Sequence, residues 1–233
     1  MIRPLDIITS LAASAVRGLA PTRVGSLGPR PGKPVELYEF EGCPFCRKAR
    51  EALTILDLDA NIFPCPKGGP RFREVVKQRG GKALFPYLVD PNTGKEMYES
   101  DDIVAYLYQQ YGDGSPPRLL SPGIVTNLTA SLASGFRPVQ GIRYREARAP
   151  EQPLELYSFE SSPFCRIVRE ALSSLELPYL LHNVAKNSPK REEFVKRSAK
   201  MMVPYLIDPN TDTAMFESAD IVRYLEQTYA ADS

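Results

Sequence analysis

The sequence predicts an α/β protein of two tandem units, each with the element order β-α-β-α-β-β-α and a four-stranded mixed sheet flanked by helices. Three observations carry this. The chain repeats itself: VELYEFEGCPFCRKAR at 35–50 returns as LELYSFESSPFCRIVR at 154–169, and LFPYLVDPNTGKEMYESDDIVAYL at 84–107 returns as MVPYLIDPNTDTAMFESADIVRYL at 202–225. Within each copy the apolar pattern switches between the strand period and the helix period. At 233 residues the chain has room for two domains of roughly 100 residues each.

In the first copy Val35–Phe40 alternates and is rich in β-formers, so it reads as a strand. Pro44–Asp57 then carries Phe45, Ala49, Ala52, Leu53 and Leu56 at helical spacing, with Pro44 suited to a first helical turn. Ala60–Pro64 is a second strand and Pro70–Arg79 a second helix. Leu84–Val89 and Lys95–Tyr98 flank Asp90-Pro91-Asn92-Thr93-Gly94, a turn signal that makes them a hairpin. Ser100 is a suitable N-cap, with Asp101 and Asp102 in the first turn of a helix to Tyr111. The second copy repeats the order from Leu154 to Tyr229. The copies are offset by 119 residues early and 118 late, which places one deletion near Gly80-Gly81, opposite Ala199.

These elements divide the chain into an N-terminal arm or helix at 1–34, a first domain at 35–114, a linker and second arm at 115–153, and a second domain at 154–233. Thr9, Leu11, Ala13, Ser14, Gly18 and Pro21 recur as Thr126, Leu128, Ala130, Ser131, Gly135 and Pro138, so the repeat reaches into both arms. Residues 1–33 carry Arg3, Arg17, Arg23, Arg30 and Lys33 against Asp6 alone, the composition of an organelle transit peptide. Recurrence in mid-chain favours a structural arm over a targeting remnant.

Composition excludes several classes. A formal net charge of +1 argues against a nucleic-acid scaffold. No apolar run reaches the ~20 residues of a membrane span. Four cysteines are too few for a secreted disulfide framework and point to a reducing compartment. His182 is the one histidine, and there is no second CxxC, so a metal site lacks ligands.

Chemistry concentrates at Cys43-Pro44-Phe45-Cys46, between a strand and a helix. A thiol at a helix N-terminus faces unpaired N–H groups and the positive end of the dipole, both of which favour the nucleophilic thiolate. Cys46, three residues on, lies within disulfide reach, and Arg47 and Lys48 add positive charge. The pair reads as a dithiol couple in which Cys43 attacks a disulfide and Cys46 resolves the mixed disulfide. Half a zinc site and inert thiols are the alternatives. Cys65, at the end of the neighbouring strand, reads as a packed small residue or a third redox thiol.

CPFC after a strand, a later Phe-Pro, and Glu-Ser opening the last helix resemble glutaredoxins and the N-terminal thioredoxin-like domain of glutathione transferases. The whole chain resembles a tandem of such domains, as known from photosynthetic organisms. The resemblance implies a thioredoxin-like fold, glutathione as co-substrate, and a chloroplast or cytoplasmic location. It implies that Pro86 is a cis-proline whose neighbour Phe85 offers its backbone to the peptide thiol. Glu99 and Ser100 match the pair that holds the γ-glutamyl end, and Lys67 could meet the glycine carboxylate. In the second unit Ser162 stands where Cys43 stands, while Cys165, Val203, Pro204, Glu217, Ser218 and Lys186 keep their places. Ser162 could hydrogen-bond a glutathione thiolate, or the unit could be kept for packing.

The leading expectation is therefore a glutathione-dependent thiol–disulfide oxidoreductase acting on a disulfide-containing protein or small molecule. A glutathione transferase-like reductase of small oxidants shares the site, although 115–153 is too short for the all-helical domain that builds an electrophile pocket. A non-catalytic redox-sensing or protein-binding module is the third reading, and a cluster shared between two chains through Cys43 and glutathione a minor fourth.

Overall fold

The computed structural model describes residues 20–25, 27–117, 120 and 140–231. The predicted helix within 1–33 and its counterpart upstream of Pro138 fall outside them. In the first half, β1 (Val35–Glu39) leads into α1 (Pro44–Ile55), β2 (Ala60–Pro64), α2 (Phe72–Gly80), β3 (Tyr87–Asp90), β4 (Lys95–Met97) and α3 (Ser100–Tyr111). The second half repeats this as β5 (Leu154–Ser158), α4 (Pro163–Ser174), β6 (Tyr179–Asn183), α5 (Arg191–Ser198), β7 (Tyr205–Asp208), β8 (Thr213–Phe216) and α6 (Ser218–Tyr229). The α/β architecture and element order are those expected.

Local differences have local causes. α1 stops at Ile55, two residues early, because Asp57 turns the chain at φ 54°. α2 starts at Phe72 rather than Pro70, and its first free N–H groups are capped from the other half: the Glu176 carboxylate accepts from Arg71 N and Phe72 N. The deletion is bracketed as well. The residues capping the starts of α2 and α5, Arg71 and Lys190, keep the early offset, while Gly81 and Ala199, both left-handed C-caps, keep the late one. The lost residue therefore lies between Phe72 and Gly80, a span that includes the expected place at Gly80.

The two predicted four-stranded sheets are one. The strand order is β4-β3-β1-β2-β6-β5-β7-β8, parallel at β1–β2 and β5–β6 and antiparallel elsewhere. The halves join where β2 pairs β6, with Ala60 opposite Leu181 and Ile62 opposite Tyr179. All four side chains are buried. Each half left alone would expose this strand as an unpaired edge, and pairing removes both edges at once. The apolar core runs without a break from Leu37, Ala52 and Leu53 to Leu156, Leu172 and Leu225.

A buried charge network sits where α1 and α4 face each other. Arg50 reaches Glu160 of the second half at 3.0 Å, and Arg169 reaches Glu41 of the first half at 3.0 Å. Arg169 also meets Glu160 at 2.9 Å, and Arg50 pairs with Glu39 and Glu41. Arg50, Arg169, Glu41 and Glu160 each have more than one partner and Glu39 is paired with Arg50, as charges withdrawn from water require. The two halves mirror each other here: Glu41 N donates to Ser173 Oγ, and Glu160 N to Thr54 Oγ1. The arms cross over as well. Val24 and Thr22 hydrogen-bond Lys186 of the second half, while Ile142 and Tyr144 hydrogen-bond Lys67 of the first. Among the described residues no helix is long and apolar enough to cross a membrane.

Candidate functional site

Cys43 sits at the N-cap of α1, with Pro44 next as the first helical residue. Its backbone is extended, which turns the sulfur back over the first turn, and Cys46 N donates to Cys43 Sγ at 3.2 Å. The sulfur thus does what a serine or aspartate oxygen usually does at a helix start. Burial pushes the Cys43 thiol up, but the hydrogen bonds from Cys46 side chain and backbone outweigh it, and the net shift is downward. Cys46 goes the other way: burial, then the hydrogen bond with Cys43, hold its thiol well above the ordinary range. One sulfur of the pair is prepared to ionise and the other is not.

Arg47 turns towards Glu160 at 3.9 Å, and Lys48 is buried against Asp101. Arg50, one turn further along α1, draws the Cys43 thiol down as well.

Opposite the thiol lies the loop before β3. The Phe85-Pro86 peptide bond is cis, and the Phe85 carbonyl oxygen is 4.0 Å from Cys43 Sγ. A groove of about 180 Å³ runs from there, lined by Phe45, Leu84, Phe85, Pro86, Tyr98, Glu99 and Ser100. Glu99, not Ser100, is the N-cap of α3, and it takes φ 64°. That turn brings an exposed carboxylate and the free amides of a helix start to the same end of the groove. Phe85, Pro86, Glu99 and Ser100 are therefore brought together, while Cys43, only 4% exposed, does not line this groove and meets it through the Phe85 carbonyl. Lys67 is not among the lining residues; its backbone is held by the second arm through Ile142 and Tyr144. Ile142 packs so closely on Gly42, the residue before Cys43, that a β-carbon there would lie 2.2 Å from its side chain.

Phe45, Leu84 and Tyr98 were not singled out from the sequence. Phe45 and Leu84 are exposed apolar side chains, 44% and 50%, that flank the groove. Phe45 recurs as Phe164, an apolar residue the helical pattern assigns to the core and the structure leaves outside.

The second half builds the same frame with different chemistry. Ser162 caps α4, accepting from Cys165 N at 3.3 Å. Val203-Pro204 is cis, Glu217 takes φ 67°, and a groove of about 200 Å³ is lined by Phe164, Met202, Val203, Pro204, Glu217 and Ser218. Cys165 is fully buried, and burial raises its thiol. Lys186 is bound by the first arm, as Lys67 is by the second.

Two residues weighed from the sequence have structural surroundings. Cys65 is fully buried among Tyr38, Val76 and Tyr87, its N–H donates to Glu39 O at 2.6 Å, and burial holds its thiol well above the ordinary range. His182 stacks on Tyr157 at 4.4 Å and hydrogen-bonds Asp59 at 3.1 Å and Glu155 at 3.3 Å, tying β6 to its surroundings.

Comparison with known proteins matches the family described as glutathione S-transferase, N-terminal domain, over residues 37–117 and again over 156–233. The glutathione S-transferase-like protein tpcF of Aspergillus fumigatus is 32% identical over 81 residues, 35% of this chain and 36% of its own. The chain thus spans about a third of the length of that relative. A trimeric glutathione transferase of Leishmania aligns over 85% of this chain and 69% of its own at 15% identity, with a TM-score of 0.31.

Proposed function

The chain belongs to the glutathione S-transferase N-terminal domain family, and from that premise we propose that it is a glutathione-dependent thiol–disulfide oxidoreductase whose redox centre is Cys43 and Cys46. The observation that carries this reading is Cys43 Sγ held as the cap of α1, opposite the Phe85 carbonyl at the head of a groove. The groove suits a peptide thiol. Backbone before Pro86 can pair with the peptide, and Glu99 with the amides of α3 offers one acceptor and several donors to an amino-acid end carrying both charges. Lys67, whose side chain is exposed, is the cation proposed for the glycine carboxylate of the peptide.

The Cys43 thiolate attacks a disulfide of a protein or small-molecule substrate, forming one S–S bond as the substrate's breaks and one substrate sulfur leaves as thiolate. Cys46 then attacks Cys43 Sγ and releases the second sulfur. Glutathione supplies the two electrons that return the pair to dithiols.

In the second half Ser162 cannot carry the exchange, and the reading there is an altered glutathione or partner site. The hydroxyl in the cap position favours holding a thiolate over attacking a disulfide.

The test is hydroxyethyl disulfide reduction with glutathione. Cys43→Ser should reduce it to background with the fold intact, since serine caps the same helix in the other half. An unchanged rate removes Cys43 from the reaction. Conjugation of chlorodinitrobenzene in the absence of disulfide reduction would instead mark a transferase.

A further inference from the structure

Each arm crosses to the half that does not follow it, and each lays an arginine beside a lysine there. At the second arm Lys67 N donates to Ile142 O at 2.6 Å and Tyr144 N to Lys67 O at 3.0 Å, which pairs Lys67 with Arg143 as in a parallel ladder. At the first arm Lys186 N donates to Thr22 O and Val24 N to Lys186 O, both at 2.9 Å, which pairs Lys186 with Arg23. Residues paired in this way stand about 5 Å apart and send their side chains to the same side. All four are exposed. Among the described residues neither Lys67 nor Arg143 has an ion-pair partner.

Two contacts tie the pair of Lys67 and Arg143 to the redox centre. Gly42 leaves room for the Ile142 side chain, so the residue before Arg143 lies against the residue before Cys43. Arg73 makes the second contact. Its guanidinium lies 4.7 Å from the centre of the Phe85 ring, and its Nη1 donates to Cys65 O at 3.0 Å, two residues before Lys67. It thus spans from the groove wall to the end of β2 that carries Lys67. Arg191 holds Val184 O at 3.2 Å in the same way in the second half. The second arm is also fixed from below: Ser173 Oγ donates to Gly141 O at 2.8 Å and accepts from Glu41 N at 3.2 Å. Arg143 lies outside both stretches that match the family, 37–117 and 156–233.

We propose that Arg143, supplied by the second arm, is a binding residue of the first half's peptide-thiol site and joins Lys67 in holding the C-terminal carboxylate of glutathione. The inference rests on the reading of this site as one for glutathione. With the amino-acid end of the peptide at Glu99 and its thiol at Cys43, the charge left over is the glycine carboxylate. Lys67 and Arg143 are exposed cations tied to the Cys43 loop and free to meet it. A planar guanidinium beside an ammonium offers a carboxylate one forked contact and one point contact. Because Arg143 belongs to the arm ahead of the second half, the site of the first half is incomplete without that arm.

The test compares glutathione with its glycine ethyl ester, which lacks that carboxylate, as reductants of hydroxyethyl disulfide in the full chain. Arg143→Ala should raise the KM for glutathione about fivefold, the scale of one solvent-screened charged contact, and leave kcat within about twofold. The KM for the ester should stay where it is, so the gap between the two thiols narrows. Arg143→Lys should keep most of the gap, and added salt should shrink it in the unaltered protein. Arg145→Ala removes the same charge two residues along the arm, from a side chain paired with Glu226, and should leave both KM values unchanged. If Arg143→Ala does not fold, Arg143→Gln decides by the same comparison. Turnover with glutathione in which Arg143→Ala moves neither KM, or moves both equally, overturns this proposal and leaves the oxidoreductase reading standing. No turnover with either thiol overturns that reading and this one with it.

Discussion

The two halves differ least where the fold is decided and most where the chemistry is. Both cap the first helix through a side chain at the same place, both carry a cis X-Pro bond, and both turn at a glutamate with positive φ before the last helix. Yet Cys43, Glu39 and Lys48 of the first half are Ser162, Ser158 and Ile167 in the second. A helix cap asks only for a small acceptor, and sulfur and oxygen both meet that demand. A redox couple asks for two sulfurs, one of which ionises. The comparison separates what the frame requires from what exchange requires.

The largest effect is expected where the two halves differ most, at the cap residue of the first helix in each. Ser162→Cys, beside Cys165, should give a chain that forms a second intramolecular disulfide under mild oxidation. Thiol counting would show two further thiols lost. Failure of the second pair to close would mean that the two caps are not equivalent.

Next comes the network that both halves share. Arg169→Ala leaves Glu41 and Glu160 buried with a partner removed, and stability should fall by about 3–5 kcal/mol. Urea unfolding measures it. A loss under about 1 kcal/mol would mean that these charges are not withdrawn from water as the structure has them.

The pH dependence sharpens the contrast inside the network. Burial alone would raise Glu160, but Arg169 and Arg50 bring its carboxyl down to about 2 from an ordinary 4.5. Its folded value lies below its unfolded one, so the stability it contributes is present above about 4.5 and lost as pH falls towards 2. Glu39 has the opposite sign. Its folded value, about 7, lies above the unfolded 4.5, so its contribution is complete below 4.5 and lost as pH rises through 7. Glu39→Gln should therefore gain stability relative to the unaltered protein between pH 5 and pH 8 in chemical denaturation. A constant difference would place the Glu39 carboxyl back in the ordinary range.

The smallest effect is expected at Lys48, whose buried pair with Asp101 has Ile167 as its counterpart. Lys48→Ile should change stability by no more than about 1 kcal/mol, because replacing a buried pair with a well-packed apolar side chain is often nearly neutral. Asp101, 30% exposed, keeps access to water. A loss of several kcal/mol in urea unfolding would show that the pair holds α1 to α3.

Much of this frame is legible in the sequence because it is local. CPFC between a strand and a helix, Asp90-Pro91-Asn92-Thr93-Gly94 as a turn, and Glu-Ser ahead of a helix each specify their own surroundings. What the sequence withholds is long-range. Nothing in Ala60-Asn61-Ile62 distinguishes a strand that pairs with Leu180 from one at a sheet edge. Arg47 and Lys48 read as positive charge beside the thiols, yet α1 is buried on every side from Cys46 to Ile55 and its charges are paired within the fold. A signal was available: Glu41, Arg47, Arg50 and Glu51 return as Glu160, Arg166, Arg169 and Glu170. Solvated charges rarely keep their place so strictly across two copies, whereas paired ones must. Glu39 escaped notice because an alternating strand end tolerates a charge, and only packing shows that this one points inward.

Of the four cysteine thiols, Cys43 alone is drawn below its ordinary range, while Cys46, Cys65 and Cys165 are raised. Alkylation of the reduced chain with iodoacetamide across pH, read residue by residue by mass spectrometry, tests it directly. Cys43 should react first, with a midpoint below the ~8.5 of a free cysteine, while Cys46, Cys65 and Cys165 stay protected until the protein unfolds. A Cys43 modified no faster than the other three, or only above that pH, would contradict it.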